Sequence, residues 1–170
     1  MRRGTWLHRL LEHLPLWPEA DWPELAGTLL SEGPAAEDSA ETETILAEAR
    51  QVLSAPEMKA LLGRGALTEV EVTARVPALG GRVVHGTIDR LIVSDSSVLA
   101  VDYKSNVVVP GRPEDVPDGI LRQMGAYAAM LGQIYPDRRI ETAILWTRTG
   151  TLMPLPPEIV RAALLATTIP

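Results

Sequence analysis

Cysteine is missing from the 170 residues. That removes disulfides, zinc–thiolate sites, iron–sulfur clusters and cysteine nucleophiles together. Long apolar runs are missing as well; the longest are a handful of residues, against the roughly 20 that a membrane-spanning helix needs. Met1-Arg2-Arg3 is basic, but no apolar stretch with a cleavage site follows it, so a soluble, cytoplasmic chain with no membrane contact is expected. No phosphate-binding Gly-x-x-x-x-Gly-Lys-Ser/Thr loop occurs, so these residues alone are not expected to hydrolyse ATP. An excess of positive charge is absent too: 16 Lys and Arg stand against 22 Asp and Glu, a formal charge of −6. Glu32, Glu37, Asp38, Glu41 and Glu43 crowd between Ser31 and Thr44 with no basic residue among them, which leaves the rest of the chain nearly neutral. This balance disfavours a simple basic DNA-binding module. It leaves room for an enzyme acting on nucleic acid, because a metal ion can neutralise phosphate locally.

What is present describes a folded domain. With 46% apolar and 22% charged residues the chain is not disordered, and at this length one domain buries roughly 70% of its unfolded surface. Trp6, Leu7, Leu10, Leu11 and Leu14 recur at helical spacing, predicting a helix over 5–14 with Thr5 as its cap. Asp21-Trp22-Pro23-Glu24 has the form of a capping box opening a second helix to about Leu30. Residues 31–44 read as an acidic linker, helical spacing returns at Ile45, and a short helix follows Pro56. From Leu67 the period falls to two: Val70, Val72, Ala74 and Val76 alternate with polar residues, a half-buried strand. Gly80-Gly81 turns the chain into a strand from Arg82 to about Val93, and Asp95-Ser96-Ser97 turns it again into a strand over 98–105. A Pro-rich loop, a helix marked by Ile120, Met124, Tyr127 and Leu131, a strand over 139–146, a short return at Thr151 and a helix from Pro157 complete an α+β order. The helix-to-strand step at 139 suits a parallel addition to the antiparallel meander. The whole reads as one domain, helical over 1–62 and strand-rich over 67–170. The four Trp suit core or interface anchors better than base-stacking platforms.

Chemistry concentrates in two strands. Asp102 and Lys104 are two apart and share a face. An acid and a Lys closing an apolar strand are costly to bury unless they serve a site. Centring the turn on residue 96 sets Asp89 opposite residue 103, within one residue of Asp102. Two converging carboxylates repel unless a cation joins them, and oxygen ligands favour Mg²⁺ or Mn²⁺ over zinc. An isolated Asp-x-Lys is ordinarily a surface ion pair; the apolar flanks and the approaching Asp89 count against that here.

Asp89 followed by Asp102-Tyr103-Lys104 resembles the signature of the PD-(D/E)xK nucleases, in the version found in RecB-type and AddA-type recombination nucleases. Glu69 resembles that family's first acidic motif, although Glu71 shares its face. Gln123-x-x-x-Tyr127 resembles its Gln-x-x-x-Tyr motif, and Gly4-x-x-x-His8-x-x-Leu11 its N-terminal histidine motif. The resemblance implies a restriction-endonuclease-like core with a central mixed sheet flanked by helices. It implies Mg²⁺ or Mn²⁺ held by Asp89, Asp102, His8 and the Tyr103 carbonyl. Lys104 would orient the attacking water, Glu69 would orient water or Lys104, and Gln123 and Tyr127 would contact the DNA backbone or brace the site. It further implies DNA as substrate, delivered as a single strand by an ATP-driven helicase motor lying outside this chain, and an AddB-like partner subunit. Two alternatives stand beside this reading: an inactive nuclease-like fold serving as a docking or DNA-clamping module, and a stand-alone RecB-like nuclease.

Overall fold

In a computed structural model of the chain, residues 2–31, 39–63 and 65–166 are described. The chain divides into two compact units: residues 1–63 with 104–107 and 146–151, and residues 64–103 with 108–145 and 152–170.

The first unit is built on helices α1 (Arg2–His13), α2 (Trp22–Leu30), α3 (Ser39–Ser54) and α4 (Pro56–Leu61). The helical spacing read from the sequence is the buried stripe of α1: Leu7, Leu10 and Leu11 are fully buried, as is Leu14 just beyond it. Ile45, Ala49 and Val52 form the matching face of α3, which packs on α1 and α2. Two helix starts differ from expectation. Thr5 lies inside α1 rather than ahead of it. Asp21 has helical φ −90° and ψ −8° and makes no side-chain capping bond, because a 3₁₀ turn over Glu19–Asp21 already runs into α2. The acidic 31–44 segment is helical from Ser39 onward; Glu32, Glu37 and Asp38 lie outside the described residues.

The second unit holds most of a five-stranded mixed sheet in the order β1 (Ala66–Val76), β2 (Arg82–Val93), β3 (Ser97–Lys104), β4 (Arg139–Trp146), β5 (Thr151–Leu155). The period-two pattern becomes β1, with Val72 and Val76 buried and Glu69, Glu71, Thr73 and Arg75 exposed. Gly80 and Gly81, both at φ near 70°, supply the left-handed turn into β2. β1–β2 and β2–β3 pair antiparallel. The Arg139 amide bonds the Ser96 carbonyl and the Thr147 amide bonds the Lys104 carbonyl, both at 3.0 Å. A constant offset between partners is the mark of a parallel pair, so β4 runs parallel to β3. Helix α5 (Asp118–Ile134) makes that crossover and packs on β1, on β2 and on α6 (Pro157–Leu165), which opens with Pro157 in its first turn. The sheet is therefore the expected meander plus one parallel strand, with helices flanking it. Among the described residues no helix is long and apolar enough to cross a membrane.

Candidate active site

Three acids fall level with one another on β1, β2 and β3. The β1–β2 pairs include Thr68↔Arg90 and Val70↔Ile88, so the same register sets Glu69 across from Asp89. The β2–β3 pairs end at Arg90↔Val101; carried on by one residue, they set Asp89 across from Asp102. The expected partner was residue 103. The turn is centred half a residue earlier than its sequence suggested, and the shift aligns the two carboxylates fully.

The β1–β2 pairing is interrupted at this row and resumes at Thr68↔Arg90, and the β2–β3 pairing ends beside it. Glu69 has φ 47°, the only non-glycine with positive φ among the described residues, and it drops out of the ladder between its paired neighbours. On the other side, the Tyr103 amide donates to Asp89 Oδ2 at 2.5 Å. A carboxylate thus takes the place a β2 carbonyl would have in a continuing ladder, and holds Asp89 in a fixed orientation.

Asp102 is 3% exposed. Gln123, from the second turn of α5, donates its amide both to Asp102 Oδ1 at 3.2 Å and to the Tyr127 hydroxyl at 2.8 Å. The Tyr127 hydroxyl in turn donates to the Thr87 carbonyl at 2.5 Å. Carboxylate and carbonyl only accept, which fixes every direction in this chain of bonds. Burial pushes the Tyr127 hydroxyl up to about 12, and the charges of Asp102, Asp89 and Glu69 hold its proton further, against the Gln123 bond. The phenol is a donor at any physiological pH. Glu71, exposed like Glu69, keeps its pairing opposite Thr87.

The residues beside the acids pair with each other. Arg90, 5% exposed, donates Nε–H to the Tyr103 hydroxyl at 3.2 Å. Burial raises the Tyr103 phenol, and Arg90 partly offsets the rise.

Lys104 ends β3, half-buried, two residues beyond Asp102. It belongs to the first unit, where its carbonyl accepts from the Thr147 amide at 3.0 Å and the Thr147 hydroxyl at 3.3 Å. Thr147 is fully buried, and Glu48, which pairs with Arg3 at 2.6 Å, lies 3.5 Å from its hydroxyl. Thr147 and Glu48 are the residues the sequence reading missed; Thr147 could have been found from its place just after β4, level with Lys104. His8 lies half-buried on α1 of the first unit. Among the described residues no three His, Asp or Glu side chains are grouped to hold a metal.

The donor set fits a hard divalent cation. Two carboxylates stand at one level on adjacent strands, each with one oxygen engaged and oriented by a neighbour, and Mg²⁺ is commonly held by one or two carboxylates while keeping several waters. Of the remaining tryptophans and histidines, Trp146 is fully buried and Trp17 is 55% exposed, while His85 bonds Thr73 and His13 lies beside Glu12.

No curated protein matches the sequence. A solved structure described as "Crystal structure of SSO0001" aligns with 96% of this chain and 76% of its own at 15% identity, with a TM-score of 0.39, too low to bear on the fold. The model of the PD-(D/E)XK nuclease superfamily matches residues 1–163, spanning both units and every residue of the site. Members of that superfamily are typically metal-dependent nucleases, and this chain belongs to the PD-(D/E)XK nuclease superfamily.

Proposed function

We propose that residues 1–170 act as one metal-dependent deoxyribonuclease domain that hydrolyses phosphodiester bonds. The observation that carries this reading is the alignment of Asp89 and Asp102 on adjacent strands, each oriented by a neighbour, with Lys104 two residues further along β3. Asp89 and Asp102 would hold Mg²⁺ or Mn²⁺, with the Tyr103 carbonyl and His8 as further ligands. When bound, the ion lowers the pKa of a coordinated water and offsets charge developing on the phosphate. Lys104 orients the attacking water and stabilises the transition state as a cation. Glu69 rather than Glu71 is the third acid, because the register sets it across from Asp89 while Glu71 pairs with Thr87. Gln123 and Tyr127 brace the site, since their donors are spent on Asp102 and Thr87.

The finer reading follows the resemblance. We place the domain among RecB-like enzymes of the AddA type, acting as an exonuclease in double-strand break repair. A helicase motor elsewhere would use ATP and feed single strands to it, and an AddB-like subunit would be its partner. The chain's net negative charge supports delivery of substrate rather than tight capture.

The test is a metal titration joined to cleavage of end-labelled DNA. Asp102→Asn is expected to weaken Mg²⁺ and Mn²⁺ binding and cleavage together, because a neutral amide replaces a charged ligand. His8→Ala is expected to lose more Mn²⁺ than Mg²⁺ affinity, since imidazole is the softer ligand. Unchanged metal affinity in Asp102→Asn rules out the two-carboxylate site and favours the docking alternative.

A further inference from the structure

Gly86 lies on β2 three residues before Asp89, paired with Val72 in an unbroken stretch of ladder. Its backbone is ordinary for a strand, with no positive φ to demand glycine. A glycine inside a strand weakens it and commonly marks a place where another group must come close. Here that group is the ring of Tyr127. A Cβ on residue 86 would stand 2.7 Å from Tyr127 Cε1 and 3.4 Å from Cδ1, with Met130 Cε at 3.5 Å. The first distance is well inside van der Waals contact, so the ring would have to give way.

The ring cannot move without consequence. Tyr127 is 4% exposed, and its hydroxyl is tied to the Thr87 carbonyl on one side and to Gln123 on the other. Gln123 spends its other bond on Asp102 Oδ1. The same amide group therefore spans the tyrosine and the buried carboxylate, and a displaced tyrosine carries the amide with it.

We propose that Gly86 is a positioning residue for Asp102: the missing side chain seats Tyr127, Tyr127 seats Gln123, and Gln123 sets the orientation of the carboxylate. This rests on the reading of Asp102 as a metal ligand. It assigns the glycine a task in metal binding although it touches neither ion nor substrate.

The experiment compares wild type, Gly86→Ala, Tyr127→Ala and the double variant by the Mg²⁺ concentration giving half-maximal cleavage and by Mn²⁺ affinity in calorimetry. Losing a group that orients a metal ligand costs about 10- to 100-fold in metal affinity or activity. Gly86→Ala is expected to raise the half-saturating concentration by about 10-fold, within that range, with the rate largely recovered at saturating metal. In the Tyr127→Ala background the same change is expected to add nothing, because the ring it displaces is gone. A merely structural glycine would lower thermal stability without moving the metal requirement, and that result overturns the inference. So do effects that add in full across the double variant. Should Gly86→Ala fail to fold, Tyr127→Phe keeps the ring and removes only the hydroxyl link; the same rise in metal requirement is expected, and a wild-type requirement overturns the inference. Asp102→Asn separates the two levels. If that variant binds metal and cleaves normally, the reading of Asp102 as a metal ligand falls and this inference with it. If it fails while Gly86→Ala matches wild type, the inference alone falls.

Discussion

Two stretches of the β1–β2 ladder share strands and register yet differ in kind. Towards Gly80 and Gly81 the pairs run unbroken from Val70↔Ile88 to Val76↔Arg82, and Thr73 meets His85 in an exposed 2.8 Å hydrogen bond. Towards the acids, Glu69 leaves the ladder in a left-handed conformation and Asp89 turns its carboxylate to the backbone of β3. A non-glycine in that conformation costs roughly 1–2 kcal/mol. Regularity is interrupted at the row where the acids gather, and backbone strain is commonly found at functional sites.

Lys104→Ala tests that contrast most severely. Cleavage is expected to fall about 100-fold or more, the scale for removing one group aimed at developing charge, while metal affinity stays close to wild type in calorimetry. A variant cleaving within a few-fold of wild type would remove Lys104 from the reaction.

Glu69→Gly addresses the strain itself. Stability to urea is expected to rise by about 1 kcal/mol, since glycine adopts positive φ freely, while cleavage falls about 10-fold. If stability drops instead, the conformation at residue 69 is not strained.

Beside the rise in metal requirement expected of it, Tyr127→Phe gives a smaller effect on stability that changes with pH only in the alkaline range. The folded chain keeps a phenol proton up to about pH 12 that the unfolded chain releases near 10.0. The stability this supplies is complete below pH 10 and drains away as pH rises through that window. The wild type should therefore lose stability more steeply than Tyr127→Phe between pH 10 and 12, measured by urea midpoints; parallel curves would contradict the burial of the hydroxyl. The smallest change belongs to the regular stretch. Thr73→Val should stay within about 0.5 kcal/mol of wild type and cleave DNA at the wild-type rate.

Much of this contrast was legible beforehand. Alternation gave β1, because its buried residues share one face, and the turn glycines gave the hairpin into β2. Apolar flanks marked Asp102 and Lys104 as unusual. What stayed hidden depends on partners distant in sequence or on half a residue of turn geometry. Asp89 faces Asp102 rather than 103, a difference no turn sequence specifies. The capping box at Asp21 failed because the preceding residues already coil. Glu69 reads as an ordinary strand position, and only the coordinates reveal its left-handed backbone. The bond of Thr147 to the Lys104 carbonyl depends on a strand brought in by the α5 crossover.

Tyr103 gives its amide proton to a carboxylate, where most strand residues would give it to a carbonyl. That proton lies in the electric field of Asp89. Its resonance in a nitrogen-15 correlation spectrum would therefore shift when a cation draws on the same oxygens. A single backbone nucleus, needing no label on any side chain and no turnover, would report the arrival of the ion.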